Sequence, residues 1–249
     1  MKLPLISLAF LSSSAAILAA APEQKNNNPK QPWSGYAVHE ATRPHPKKVA
    51  TNGAVTTAAP ADAVVLFNGS DTAAWNQNWV VKDGIMIASP GNLSTNQSFG
   101  DCQLHIEWRV PAGREVSGQK GGNSGVFLMQ RYEVQVQESH TNVTYADGQA
   151  GALYGQYPPL VNPSTPQGEW QSYDISFKAP VYEGEQCVSP ARITVIHNGV
   201  VIHNNQAFHG TSTHRRLPEY PKNHPVKAPI MLQWHGDPIE FRNIWVREL

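Results

Sequence analysis

Hydrophobic and polar residues alternate repeatedly from Val64 to the end of the chain, which predicts a series of β-strands. In QLHIEWRV (103–110), every second residue is apolar, so one face of the strand would be buried and the other polar. YEVQVQ (132–137) alternates in the same way and turns Glu133, Gln135 and Gln137 to its polar face. These periodicities favour half-buried strands, and no stretch of helical length shows a 3.6-residue period.

Turn signals separate the predicted strands. Lys82-Asp83-Gly84 divides WVVKDGIMIAS, and Asn198-Gly199 stands at the tip of ARITVIHNGVVIHN, the pattern typical of a tight hairpin. About ten strands with little helix predict an all-β fold, an antiparallel sandwich or jelly roll of two curved sheets.

The residue composition near the N-terminus divides the chain into three predicted parts. Lys2 precedes an apolar, small-residue run that ends near Ala21, which indicates a signal peptide over 1–21 and export to the periplasm or the extracellular space. Residues 22–60 are rich in Pro and Asn and predict a disordered or extended lead segment. Residues 61–249 form the predicted domain, and no transmembrane segment is expected after signal removal.

Charge and cysteine content narrow the function classes. Lys plus Arg equals Asp plus Glu at 19 each, so the formal charge is zero and no basic stripe indicates nucleic-acid binding. Cys102 and Cys187 could form a disulfide in an exported protein, but their spacing does not decide it. The oligomeric state stays open.

Three predicted strands carry unusual polar faces. The first holds Glu133 and Gln135, the second Gln233 and His235, and the third runs from Arg242 to Arg247. Amide side chains both donate and accept hydrogen bonds, which suits sugar hydroxyls. A solvated sheet face is the alternative interpretation.

Long loops rich in Gly, Asn and Pro surround these strands. Asn123 lies in the loop VSGQKGGNSG, either as a ligand-binding residue or as a turn residue. The loop 147–170 carries Tyr154, Tyr157 and Trp170, which could form a stacking wall for a sugar or belong to the core.

From about Val64 to Leu249, the chain resembles the 3-keto-disaccharide hydrolase family, also described as 3-keto-glucoside-1,2-lyase / 3-keto-2-hydroxyglucal hydratase. The resemblance rests on ordered motifs: LFNGSDTAAW, GNLST, NSGVF, YEVQVQES, GALYGQYPP, GEWQSYDI, HNGVVIH, LQWHG and FRNIWVREL. It implies a concanavalin A-like jelly-roll β-sandwich and a glycoside oxidised to a ketone at C3. The chain departs from the family at Glu138 and Trp234, where Asp is usual.

The resemblance implies cleavage by proton abstraction at C2 and elimination or hydrolysis at C1. His235 and Glu133 are the candidate catalytic residues, since an imidazole titrates near neutral pH and a carboxylate can orient it or act as the base. The expected substrate-binding residues are Asn123, Gln135, Tyr154, Gln233 and Trp170. A divalent cation could polarise the ketone, but no residue pattern demands one and no other cofactor is expected.

Two other functions fit the same residues. One is a non-catalytic glycan-binding module, because this fold also hosts lectins. The other is a retaining, laminarinase-like glycosidase that uses Glu133 and Glu138 as paired carboxylates.

Overall fold

The computed structural model describes residues 27–249. The predicted signal peptide, 1–21, lies outside the described residues. Within the described range the chain forms sixteen strands and one turn of 3-10 helix at Ala146–Gly148. The strands are β1 Lys47–Lys48, β2 Val64–Phe67, β3 Val80–Lys82, β4 Ile85–Ile87, β5 Leu93–Phe99, β6 Cys102–Arg109, β7 Ser124–Leu128, β8 Tyr132–Val136, β9 Val161–Asn162, β10 Gln171–Lys178, β11 Val181–Glu183, β12 Gln186–Ser189, β13 Arg192–His197, β14 Val200–Ala207, β15 Ala228–Leu232 and β16 Glu240–Glu248.

The larger sheet has eight antiparallel strands in the order β14-β13-β10-β6-β16-β4-β3, with β2 also paired to β16. Two of its hairpins turn where the sequence predicts. Asp83 and Gly84 have φ of 52° and 75°, and Asn198 and Gly199 have φ of 51° and 81°. Left-handed backbone at both central positions matches the twist of the paired strands.

The smaller sheet has four antiparallel strands in the order β5-β15-β7-β8. Strands β7 and β8 form a hairpin whose turn residues, Met129 and Gln130, both have left-handed φ, 53° and 58°. Non-glycine residues adopt this conformation only at a cost in free energy, so surrounding contacts must maintain it. Met129 is buried in the core, which provides such contacts.

The core lies between the two sheets and follows the predicted alternation. Tyr132 and Val134 of β8 are buried in the same apolar cluster as Ile106 of β6. Glu133 and Gln135 therefore point to the opposite face of the smaller sheet. The prediction of an all-β, jelly-roll β-sandwich is confirmed.

The polar face of β16 lies on the outer side of the larger sheet and has a structural role. Glu107 of β6 accepts hydrogen bonds from Arg242 Nε at 2.6 Å and Asn243 Nδ2 at 2.9 Å. Burial alone would raise the pKa of Glu107, but His105, Asn243 and Arg242 outweigh it and lower the pKa to about 2. This third polar face belongs to an ion-pair network rather than to a cleft.

The lead segment is ordered where it is described. Val38 is fully buried, and the ring of Trp33 stacks on His209 with 3.8 Å between centroids. Strand β1 pairs in parallel with β9. The sequence predicts a disordered or extended lead, and in the described part of it apolar side chains pack on loops that are distant in sequence, as Trp33 does on His209.

The two cysteines do not form a disulfide, because Cys102 and Cys187 are both free thiols. Burial raises the pKa of Cys102 to about 12, which keeps this thiol protonated and unreactive. No helix within residues 27–249 has the length and apolar character needed to span a bilayer.

Candidate functional site

A cavity of about 550 Å³ opens on the outer face of the smaller sheet. Residues from strands β7 and β8, from the end of β15 and from two loops line it: Gln119, Lys120, Asn123, Phe127, Glu133, Gln135, Tyr145, Tyr154, Ser212, Thr213, His214, Arg215, Gln233 and His235. The amide-bearing faces of two predicted strands thus converge on one cavity of a size that suits a small ligand.

Strand pairing sets the positions of the two candidate catalytic residues. Phe127 of β7 pairs with Glu133 of β8, and the backbone of Gln233 beyond β15 bonds to Gly125 of β7 at 3.0 Å. Strand β7 therefore separates Glu133 from the segment that carries His235. Two strand spacings correspond to about 10 Å between backbones, so these residues flank the cavity from opposite sides.

Glu133 is buried at the floor of the cavity, with 5% of the residue exposed. Burial raises the pKa of its carboxyl group to about 8. The Gln135 amide opposes this effect, because with its nitrogen towards Glu133 it donates at 2.9 Å to Glu133 Oε1 and at 3.0 Å to Ser124 O. A carboxyl group balanced in this way can exchange a proton near neutral pH.

Two tyrosines and a histidine form one wall of the cavity. The hydroxyls of Tyr145 and Tyr154 are 3.0 Å apart, and the Tyr154 hydroxyl is 3.0 Å from His214 Nδ1. Burial raises the pKa of Tyr154 to about 12, and burial lowers the pKa of His214. Tyr154 is therefore a neutral donor, and Nδ1 of neutral His214 can accept a hydrogen bond from its hydroxyl.

The loop that follows β14 closes the same side of the cavity. Ser212 N donates to Arg131 O at 2.7 Å, while the Ser212 hydroxyl accepts from Glu133 N at 3.0 Å. These bonds fix the loop to the turn end of β8. Arg215, with a left-handed φ of 56°, and Lys120 bring positive charge to the exposed rim.

On the opposite side, Gln233 is held by its backbone alone. Its carbonyl accepts from the Ser124 hydroxyl at 2.6 Å. In the described part of the chain, no group hydrogen-bonds with the side chain of Gln233 or with the imidazole of His235. Asn123 is more constrained, because its Nδ2 donates to Gln119 O at 3.0 Å.

Trp170 is placed elsewhere and corrects one expectation. The guanidinium groups of Arg242 and Arg109 both pack against its ring, at 4.1 and 4.5 Å from the ring centroid. It does not line the cavity, because the strand that follows it, β10, belongs to the larger sheet. Tyr157 also lies outside the cavity and contacts His209 Nε2 at 2.6 Å.

Glu138 does not form a catalytic pair with Glu133. Its carboxylate accepts from the backbone N–H of His140, Thr141 and Asn142 at 3.0, 3.1 and 2.7 Å. It therefore holds the loop after β8, and the paired-carboxylate arrangement of a retaining glycosidase is missing among the residues that line the cavity.

Sequence reasoning missed part of the wall. Tyr145 lies in a loop without a strand pattern, and His214 and Arg215 belong to the segment HGTSTHRRLPEYPKNHP. The one sequence feature of this segment that indicates a functional role is its high content of His and Arg. Its distance of some 80 residues from Glu133 in sequence concealed the contact through Ser212.

A metal site is not formed by protein groups alone in residues 27–249. No three side chains of His, Cys, Asp or Glu in this range lie close enough to hold an ion together. Glu133, His214 and His235 do line one cavity, so substrate oxygens would have to complete any coordination there.

Comparison with known proteins agrees with this fold. A model of the 3-keto-alpha-glucoside-1,2-lyase-like domain matches residues 62–247. The chain belongs to this family. The crystal structure of "a putative glycosyl hydrolase" from Parabacteroides distasonis is 39% identical over 87% of this chain and 98% of that one, with a TM-score of 0.76.

A second such structure from the same organism is 23% identical over 75% of this chain and 99% of that one, and its TM-score of 0.54 shows the same fold. The comparison with curated proteins gives no match. The 3-keto-alpha-glucoside-1,2-lyase-like family places the chain among carbohydrate-active, glycosyl hydrolase-like proteins. A carbohydrate is therefore a plausible occupant of the cavity over Glu133.

Proposed function

We propose that this protein cleaves glycosides whose sugar carries a ketone at C3, by removing the C2 proton and expelling the group at C1. The observation that supports this most directly is Glu133. It is a buried carboxyl group with a raised pKa, and it faces a sugar-sized cavity lined with amides. Such a group suits abstraction of a carbon-bound proton that a neighbouring ketone has acidified.

In the first step, the Glu133 carboxylate takes the C2 proton. The electron pair of the C–H bond moves towards C3 and places negative charge on the ketone oxygen. Gln233 and His235 carry donors that no described protein group occupies, and they lie across β7 from Glu133. They are suited to bind the C3 oxygen and so to stabilise the charge that develops there.

In the second step, the C1–O bond breaks, the C1–C2 double bond forms and the ketone is restored. The departing oxygen needs a proton. Tyr154 can donate it, because its hydroxyl is neutral at physiological pH and is connected to His214. Addition of water across the double bond would then complete a net hydrolysis.

Export is part of this proposal. The segment 1–21 has the pattern of a secretory signal, which would deliver the enzyme to the periplasm or the exterior. N-terminal sequencing of the protein recovered outside the cytoplasm tests this, and an intact Met1 in that fraction would argue against it.

The decisive test is to incubate the purified protein with a 3-keto-glucoside and, separately, with its unoxidised parent. We expect release of the leaving group from the oxidised sugar only. In deuterated water, the released 3-keto sugar should carry deuterium at C2. Cleavage of the parent alone would support a glycosidase, and binding of either sugar without turnover would support a glycan-binding module.

Matched carboxylate variants assign the base. Glu133→Gln should lower kcat by about 10²- to 10⁴-fold, the usual contribution of general base catalysis, while sugar affinity changes little. Glu138→Gln is the control, because that carboxylate binds loop N–H groups outside the cavity. Equal losses in the two variants would reject Glu133 as the base.

A further inference from the structure

The lead segment supplies a residue directly behind the cavity wall. The ring of His39 stacks on Tyr145, with 4.0 Å between centroids and an angle of 27°, and lies 4.9 Å from Tyr154. Its centroid is 5.5 Å from that of His214. His39 precedes the segment 62–247 that matches the family model, so the family domain alone does not include it.

Asp147 holds His39 in place. The backbone N–H of His39 donates to Asp147 Oδ2 at 3.1 Å, and its Nδ1 is 3.4 Å from Asp147 Oδ1. Asp147 is fully buried, and Gln31 Nε2 and Arg43 Nη1 approach the same carboxylate at 3.2 and 3.8 Å. The lead segment thus provides three of the residues that surround one buried carboxylate.

Two features of His39 are unfavourable for the free energy of the folded protein. Its φ is 57°, in the left-handed region. Its Nε2 has no hydrogen-bond partner among residues 27–249, although 97% of the side-chain surface is excluded from solvent. An unpaired buried polar atom is unfavourable, so its retention next to a substrate cavity points to a partner acquired during function.

Three side chains with polar atoms pack against the His39 ring. Since Asp147 holds Nδ1, the Nδ1–H tautomer is favoured and Nε2 is an acceptor. The polar side chains stacked or tilted against the ring are those of Tyr145, Tyr154 and His214. These three already form a hydrogen-bonded chain, Tyr145 Oη to Tyr154 Oη to His214 Nδ1, with steps of 3.0 Å.

We propose that His39 is a positioning residue for Tyr154. Asp147 fixes the imidazole, the imidazole fixes the Tyr145 ring by stacking, and Tyr145 fixes the Tyr154 hydroxyl 3.0 Å away, while Nε2 acquires its hydrogen bond when substrate occupies the cavity. The proposal rests on the function proposed above, in which Tyr154 protonates the leaving oxygen. It makes the segment from Gln31 to Arg43 part of the active domain.

Two variants test the contribution of the His39 ring separately from that of its nitrogen atoms. His39→Phe keeps a ring to stack on Tyr145 but has no nitrogen, and His39→Asn removes the ring while tolerating the left-handed backbone. We expect both to lower kcat for a 3-keto-glucoside about tenfold, an effect in the range of coupled neighbouring residues, with KM nearly unchanged. His45→Asn is the control, because His45 belongs to the same segment but contacts Thr144 O and does not line the cavity.

A double-mutant cycle distinguishes positioning from general stabilisation. If His39 acts through Tyr154, adding His39→Phe to Tyr154→Phe should cause no further loss of kcat. Additive losses, or a His39→Phe variant with the kcat of the wild type, would overturn the proposal. Melting temperatures of all variants confirm that the comparison is between folded proteins.

Long-range ¹H–¹⁵N correlation spectra of the histidine rings provide a readout that does not need turnover. Nε2 of His39 should be unprotonated in the free protein, and its resonance should shift when a 3-keto-glucoside or its unoxidised parent binds. If the wild type binds sugar without cleaving it and the shift occurs, the proposed reaction fails and the placement of His39 stands. A protonated Nε2, or no shift at saturation, would contradict the placement.

Discussion

Glu133 lies directly above Gly125: a β-carbon on this glycine would be 2.5 Å from Glu133 Oε1 and 2.8 Å from the ring of Phe127. Gly125 pairs with Gln135, so Glu133 reaches diagonally across the β7–β8 hairpin. The missing side chain of one residue thus creates the space in which the candidate base is buried. The glycine of the NSG sequence is required here for close approach rather than for an unusual φ, since Gly125 is not among the residues with positive φ.

Gly125→Ala should therefore impair activity more than folding. The added methyl group must displace Glu133 or Phe127, and a shift of about 1 Å in a catalytic group can cost 10²-fold in rate. We expect a comparable loss of kcat/KM with the 3-keto-glucoside and a loss of about 1–3 kcal/mol in unfolding free energy, as for other overpacked sites. Gly100→Ala is the control, because its methyl group would meet Val226 O at 3.2 Å, outside the cavity lining. Full activity of Gly125→Ala would show that the position of Glu133 is not critical.

The raised pKa of Glu133 predicts how stability depends on pH. Between about pH 4.5 and 8, the folded protein keeps a proton on Glu133 that the unfolded chain has released. The native state then binds more protons, so the stability of the wild type relative to Glu133→Gln should fall as pH rises through this window and level off above it. Urea unfolding of both proteins at a series of pH values measures the difference. A constant difference from pH 5 to 9 would mean that the pKa is not raised.

The same titration should appear in the rate. Only the carboxylate form of Glu133 can take the C2 proton, so kcat/KM for a 3-keto-glucoside should increase with pH towards a plateau above about pH 8. The donor from Gln135 favours the carboxylate, so Gln135→Leu should move this limb to higher pH. An unchanged pH profile in that variant would remove Gln135 from the control of the base.

Strand periodicity predicted which side chains along 132–137 and around Gln233 leave the core, because alternation determines the face to which each side chain points. It did not predict the wall. Tyr145 and His214 reach the cavity from loops and His39 packs behind them, and these positions depend on contacts between distant segments, such as that between Ser212 and Glu133 N, which no local pattern records. Periodicity also failed to distinguish the cavity face of β8 from the equally polar outer face of β16.

The position of Trp170 also could not be predicted from the local sequence pattern. An aromatic residue in a long loop suits sugar stacking, yet here two guanidinium groups pack against the ring at 4.1 and 4.5 Å from its centroid. Trp170→Ala should lower the unfolding free energy by roughly 1–4 kcal/mol, because two cation–π contacts are lost. Affinity for the 3-keto-glucoside should remain that of the wild type, as measured by calorimetry. A marked loss of affinity without loss of stability would return Trp170 to the binding site.

The folded unit begins before the segment that matches the family model. The resemblance and the family match both begin near residue 62, but Val38 is fully buried and Thr57 O accepts hydrogen bonds from Asn243 and Trp245 at 3.1 and 3.0 Å. A chain that begins at residue 61 exposes the surfaces beneath these groups. It should be less stable than one that begins at residue 27 by more than about 2 kcal/mol, the value for burial of a single Val side chain. Urea unfolding compares the two chains at equal concentration. Equal midpoints and slopes would show that the lead segment packs on the domain without stabilising it.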